Sequence, residues 1–328
     1  MRKRIFLTTI LCVFFFFNAT FAQVGAEVAD QAREAAGIAD TSRNDKWIFG
    51  GIFQLSLNQS YSKNWIGSSN PFIGLSTLDH LYLFYHKNKL TWENTLDLDF
   101  GMRLTFANSG SENVKYEKTS DKLDFNSKLG FKAGGHWYYG ALLNLNTQIM
   151  VGKDPQNDTV VTSGFMTPGY LTLSLGMNYK REKWSWYISP IAGKMTAKLD
   201  DNFYDRPAFG VDSFRRVNFS VGAFTRVSFA ADIHPKINLN TKLELFYDYL
   251  GEYAYLRNLA TNFEMTWRFS ITEWLSITLR TALLYDYNIR FDVYDSNGQK
   301  IDGITTDHVQ FQETFGLTLG YKFKVPKK

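Results

Sequence analysis

The chain is poor in residues that staple or break a fold. It has one cysteine and only 7 prolines in 328 residues, which excludes disulfide scaffolds and Pro-rich disordered chains. Its clearest apolar stretch, Ile5 to Phe17, is shorter than the roughly 18 residues that a spanning helix needs. Charge of one sign is scarce as well. The 36 basic and 32 acidic side chains nearly cancel, so there is no electrostatic footprint for nucleic acid. No phosphate-cradling glycine motif, catalytic signature or metal-ligand spacing stands out, and no catalytic residue, metal or cofactor is expected. Aromatic residues are abundant by contrast, at 16%.

Export is written at the N-terminus. Arg2, Lys3 and Arg4 precede the apolar stretch, and the small residues Thr20 and Ala22 sit three and one places before Gln23. This is the layout of a secretory signal peptide over 1–22. Ile10 and Leu11 occupy the places where a lipoprotein signal needs small residues before Cys12. Cleavage after Ala22 removes the only cysteine and three of the basic residues, leaving a nearly neutral mature chain without disulfides. A polar, alanine-rich periplasmic segment is expected over 23–46, and a barrel domain over 47–328.

From Trp47 onward the hydrophobic period is two. In 90–106, Leu90, Trp92, Leu96, Leu98, Phe100, Met102, Leu104 and Phe106 share one face, while Glu93, Asp97, Asp99 and Arg103 share the other. The same split recurs in 47–61, 119–132, 137–150, 168–180, 184–197, 216–229, 237–249, 258–271 and 274–288, and in a last strand ending near Val325. With the less regular 70–86, the pattern predicts an all-β, transmembrane antiparallel β-barrel of about twelve strands. A bulge is expected near Thr77 and Leu78, where the alternation is lost.

Connections alternate in length. Short ones are read at 87–89, 133–136, 181–183, 230–236 and 272–273, and long ones at 62–69, 107–118, 151–167, 198–215, 250–257 and 289–308. Short periplasmic turns and long extracellular loops place the protein in the outer membrane of a Gram-negative bacterium. Trp47, Trp92, Trp137, Trp184, Trp186, Trp267 and Trp274 fall near the periplasmic strand ends, as an interfacial girdle would.

Several segments resemble an uncharacterised family of Gram-negative outer-membrane proteins, domain of unknown function 3078. The resemblance runs through Leu57-Asn58-Gln59-Ser60 with Asn64-Trp65, Trp92-Glu93-Asn94-Thr95-Leu96-Asp97, Lys118-Thr119-Ser120-Asp121-Lys122, Ser127-Lys128-Leu129-Gly130 and Asn146-Thr147-Gln148. It continues through Ser189-Pro190, Ala208-Phe209-Gly210-Val211 and Tyr285-Asp286. The resemblance implies an outer-membrane barrel and carries no known activity.

If the apolar stripes face lipid, the polar stripes line a lumen. The inward charges are then Glu93, Asp97, Asp99, Arg103, Lys122, Asp124, Lys128, Lys132, Arg226, Lys242, Glu244, Asp248, Glu264, Arg268, Arg280 and Asp286. The balance of signs predicts a porin-like, narrow passive pore for small polar solutes without strong charge selection. An occluded lumen is the alternative, because about eight strands are filled by side chains while 16 to 18 leave a channel. A non-conducting barrel acting in envelope assembly, secretion or partner binding would follow from it. A wall-sited lipid hydrolase is the remaining class. Ser76, Asp79 and His80 hold the residue types, but neighbours on one strand alternate faces. Phe203, Tyr204, Phe209 and Phe214 make the 198–215 loop aromatic; Asp292, Asp295, Asn297, Asp302 and Asp307 make 289–308 acidic without the EF-hand spacing. Expected partners are outer-membrane lipid, the barrel-assembly machinery and small polar solutes; the oligomeric state stays open. Sequencing the N-terminus of protein recovered from the envelope should read Gln23 first, and a chain still beginning at Met1 would contradict the signal assignment.

Overall fold

Alternation of apolar and polar residues makes a strand that must bury or solvate two unlike faces, and the chain solves this by rolling one sheet into a tube. The computed structural model describes residues 47–60, 72–106, 114–153, 159–251, 255–289, 291–294, 300–306 and 309–324. The expected signal peptide over 1–22 and the expected periplasmic segment over 23–46 lie outside the described residues, as do Asn64, Trp65, Asp295, Asn297, Asp307 and Val325. In chain order the strands are β1 (Trp47–Ser60), β2 (Phe72–Lys87), β3 (Leu90–Phe106), β4 (Val114–Gly134), β5 (Trp137–Thr147), β6 (Gly152–Lys153), β7 (Val161–Ser163) and β8 (Gly169–Arg181). They continue as β9 (Trp184–Ala197), β10 (Val217–His234), β11 (Ile237–Asp248), β12 (Leu259–Ser270), β13 (Leu275–Tyr285), β14 (Phe291–Tyr294), β15 (Lys300–Thr306) and β16 (Gln310–Lys324).

Twelve of these close into one barrel in the order β1-β16-β13-β12-β11-β10-β9-β8-β5-β4-β3-β2, and every neighbouring pair is antiparallel. Pairing of β1 with β16 over Gly50↔Lys324 to Leu57↔Leu317 joins the first strand to the last. Closure removes both sheet edges, so the wall satisfies its own backbone groups. The outer surface is apolar: Leu175, Ile191, Phe219 and Phe315 are 68%, 66%, 68% and 64% exposed. The inner face buries Asp124, Asn126, Asn144, Asn178, Ser185 and Thr318 instead. This inversion of the soluble pattern is the architecture of a transmembrane antiparallel β-barrel. No helix among the described residues is long and apolar enough to cross a membrane.

The tight turns and several boundaries differ from the periodicity reading. β10 runs on to His234, so its turn to β11 is two residues rather than the seven of 230–236. β4 begins at Val114 instead of 119, extending the wall beyond the point where alternation is legible. Its register steps between Gly101↔Ser120 and Met102↔Lys118, and that bulge scrambles the parity near Thr119. β5 and β13 end three residues early, at Thr147 and Tyr285. The 151–167 and 289–308 connections each contain a two-stranded ribbon, β6–β7 and β14–β15.

The expected bulge near Thr77 does not occur. β2 keeps one register against β1 on both sides, Ile52↔His80 and Leu55↔Thr77, and one register against β3 throughout. The ladder only lapses between those pairs, where the Gln54 amide donates to Asp79 Oδ1 at 3.0 Å. A local side chain has taken over a backbone acceptor's place, which breaks the alternation without adding a residue.

The bulge that does reshape the interior lies on β9. Opposite β8 the register steps between Leu175↔Ile191 and Met177↔Ile188, and opposite β10 between Gly222↔Ala192 and Phe224↔Ser189. Pro190 has no amide to give a ladder and is accommodated at this irregularity. Ser189 Oγ lies 2.7 Å from both the Leu175 and Ile191 carbonyls, so its proton serves acceptors that the bulge frees. Opposite it, a Cβ on Gly176 would stand 2.0 Å from the Ile188 carbonyl oxygen. Gly176→Ala should therefore lower stability by roughly 1–3 kcal/mol through overpacking against backbone. Urea titration of the heat-modifiable folded band would show this as an earlier midpoint; an unchanged midpoint would contradict the close approach.

Candidate functional site

Ring order decides which strands face each other. β4 and β12 are six places apart in the twelve-strand ring and β4 and β11 are five, so their inward side chains meet across the lumen. Asp124 on β4 is wholly buried at 0% exposure. It accepts Lys242 Nζ of β11 at 2.9 Å, Asn144 Nδ2 at 2.6 Å and Asn126 Nδ2 at 3.0 Å, with Lys122 Nζ 3.5 Å away. Lys122 donates to Glu264 of β12, and Lys242 lies 3.7 Å from the same carboxylate. Arg280 of β13 donates to Glu264 at 3.0 Å and also to Asp99 of β3. Acids and bases of five strands thus form one connected lattice. Unpaired, each would carry a desolvation penalty of several kcal/mol; paired and hydrogen-bonded, they compensate one another.

Side branches continue the pattern. Arg226 and Glu244 pair at 2.6 Å, and Asn262 donates to Glu244 at 3.1 Å. Glu93 takes Lys128 at 2.9 Å together with Lys180, and His80 Nδ1 bonds Asp97. Lys194 reaches Asp286 at 2.9 Å from β9. Arg103 sits apart with Glu117 on β4. Arg268 makes no hydrogen bond or ion pair among the described residues. Lys132 is exposed beside the β4–β5 turn instead of lining the lumen, because the strand has there reached its end.

Lys180, Lys194 and His80 belong to this interior and were not among the expected charges. Lys180 shares the inward parity of Ser174 and Asn178 but stands one residue from the end of β8. Lys194 is hidden by the bulge: before Pro190 the buried positions are Ser185, Tyr187 and Ser189, and after it Ala192 and Thr196. A proline inside an otherwise regular strand was the available signal.

One outer connection folds over the mouth. Lys198 is buried and its Nζ donates to the Phe203 carbonyl at 2.9 Å and to that of Arg206, while Phe203 and Phe209 rings meet at 5.6 Å. Burial holds the Lys198 ammonium below its usual range despite the nearby Asp212 and Asp205. Phe209 adopts φ +56° and Gly210 φ +77°, the left-handed turn that lays this loop against Asn288. Below it, burial and the Asp248 carboxylate push the Tyr287 hydroxyl up to about 12, and Tyr287 donates to Asp248 at 3.1 Å. Burial raises the Asp286 carboxyl, but Lys194 and Asn288 outweigh it and hold the group below the usual carboxylate range.

The tryptophans lie on the outside. Trp47, Trp92, Trp137, Trp184, Trp186 and Trp274 are exposed; Trp267 is half-buried and stacks on Phe269 with centroids 6.3 Å apart. Trp47 packs on Tyr85 at 4.7 Å, Trp137 on Tyr179 at 5.1 Å and Trp184 on Phe229 at 4.5 Å. Trp92 and Trp186 give their indole protons to Ser127 and Thr225, each at 2.9 Å. The hydrolase residue types do not assemble: His80 is held by Asp97, Asp79 by the Gln54 amide, and Ser76 lines a different cavity.

Residues 57–152 match the family described as Protein of unknown function (DUF3078), which bears out the resemblance read from the sequence over that stretch. The similar segments at Ser189, Ala208 and Tyr285 lie beyond it. No curated protein matches the chain. Among solved structures it is similar to an outer membrane channel from Pseudomonas putida F1 at 16% identity and a TM-score of 0.37, covering 86% of this chain and 97% of that one. It is also similar to outer membrane phospholipase A from Escherichia coli, at 9% identity and 0.35 over 89% and 97% of the two chains. The Pseudomonas putida toluene transporter TodX follows at 12% and 0.30, over 90% and 93%.

Removing one member of the lattice should hurt more than removing two. Lys242→Met leaves Asp124 with a weakened set of partners in the interior and should cost about 3–5 kcal/mol, whereas adding Asp124→Asn should recover most of it. Unfolding midpoints of the two single variants and the double variant would measure the coupling; additive losses would contradict it.

Proposed function

We propose that the protein is an outer-membrane barrel of a Gram-negative bacterium, exported by its N-terminal signal and folded by the barrel-assembly machinery. In this reading it serves as a narrow passive pore for small polar solutes, latched shut at rest. The observation that carries it is a set of separate cavities that share charged side chains, among them the Asp99–Arg280 ion pair. A cavity of about 350 Å³ and one of about 170 Å³ both have Asp99 and Arg280 in their walls. The second shares Asp97 and Lys242 with a third of about 70 Å³. Solutes moving from one cavity to the next would have to part side chains rather than backbone. Both charge signs line the path, which supports passage of polar solutes without strong selection by sign.

The exposed tryptophans at one set of strand ends support an interfacial girdle, their rings in the headgroup region. Current through the refolded mature protein in a planar bilayer tests the reading. Wild type should show rare, small openings, and Lys122→Met with Glu264→Gln should raise the open probability without changing the heat-modifiable gel shift. Silence from both correctly folded proteins would overturn the pore and leave a non-conducting barrel.

A further inference from the structure

Arg268 stands out against the paired lattice. It lies on β12 and lines the cavity of about 170 Å³, yet among the described residues it forms neither a hydrogen bond nor an ion pair, and its Nε is buried without a partner. The acids on the same cavity are engaged elsewhere: Asp97 with His80, Asp99 with Arg280, Glu264 with Lys122 and Arg280, and Asp79 with the Gln54 amide. His80 Nε2 is a second buried nitrogen on this cavity without a partner. Asn240 and Thr266 add polar groups to the wall. A buried guanidinium nitrogen without a partner is unfavourable, and buried polar atoms in native proteins are as a rule satisfied by protein, water or ligand.

We propose that this cavity is a binding site for a small oxyanion, a carboxylate or phosphate group, held by Arg268 and, in the doubly protonated imidazolium form, by His80 Nε2. The guanidinium fork matches the two oxygens of such a group. A volume of about 170 Å³ is large enough to admit an ion of that size. The site names a solute class for the pore reading but does not depend on conduction, since a closed barrel can still load the cavity by exchange.

Calorimetric titration of the detergent-refolded mature protein with inorganic phosphate, and separately with acetate, tests the site. Saturable binding in the millimolar range is expected for wild type, weakened by about tenfold or more in Arg268→Met. Arg268→Lys keeps the charge without the fork and should fall between them. Each variant is first checked for the heat-modifiable band, and if Arg268→Met fails to fold, Arg268→Lys alone decides by binding more weakly than wild type. No saturable heat in wild type, or equal affinity in the folded variants, would overturn the proposal. Binding without any bilayer current would sink the pore and leave the site; current without binding would do the reverse.

Discussion

A wall that meets lipid has no water to satisfy its amides, so every backbone donor and acceptor in it must find a partner within the protein. The ladder between β1 and β16 is what makes that obtainable here, because it turns the last two edges of a twelve-strand sheet into one more pair. Everything else in the molecule is arranged around a closed ring. Apolar side chains of alternating residues face outward because the other alternate set is forced inward. Polar side chains then share a confined interior, where neither sign of charge is tolerable alone.

That confinement explains why the interior charges form a lattice rather than separate pairs. A twelve-strand ring is narrower than the porins that hold open water and wider than the eight-strand barrels that side chains fill completely. Long side chains such as Lys122, Lys242 and Arg280 bridge the remaining width and end on carboxylates of facing or next-but-few strands. Pairs of this kind contribute little net stability compared with an apolar filling. Arg268, which lacks such a partner among the described residues, marks where the lattice leaves room for an ion from outside.

Strand parity carried most of this from the sequence. In β3, alternation alone separates Glu93, Asp97 and Asp99 from Leu96, Leu98 and Phe100, and the register of β3 with β4 follows the same split. Parity fails where the backbone departs from a plain ladder. Lys194 changes face only because Ser189 and Pro190 insert a bulge, and the 114–119 stretch of β4 is masked by the step at Thr119. Conversely, the broken alternation near Thr77 is a side chain replacing a ladder acceptor, with the register intact. Which charges meet across the lumen is not legible at all from one strand, because it depends on ring order. Lys122 and Glu264 are neighbours only because β4 and β12 sit opposite each other.

The juxtaposition of facing walls is therefore the point on which the account stands. Lys122→Cys together with Glu264→Cys, in a chain whose one other cysteine, Cys12, is replaced by Ser, would place two thiols across the lumen. A short bifunctional thiol reagent applied to outer membranes should join them and alter the mobility of the denatured protein, while either single variant should not respond. Failure of the folded double variant to cross-link would contradict an interior spanned by side chains of opposite walls.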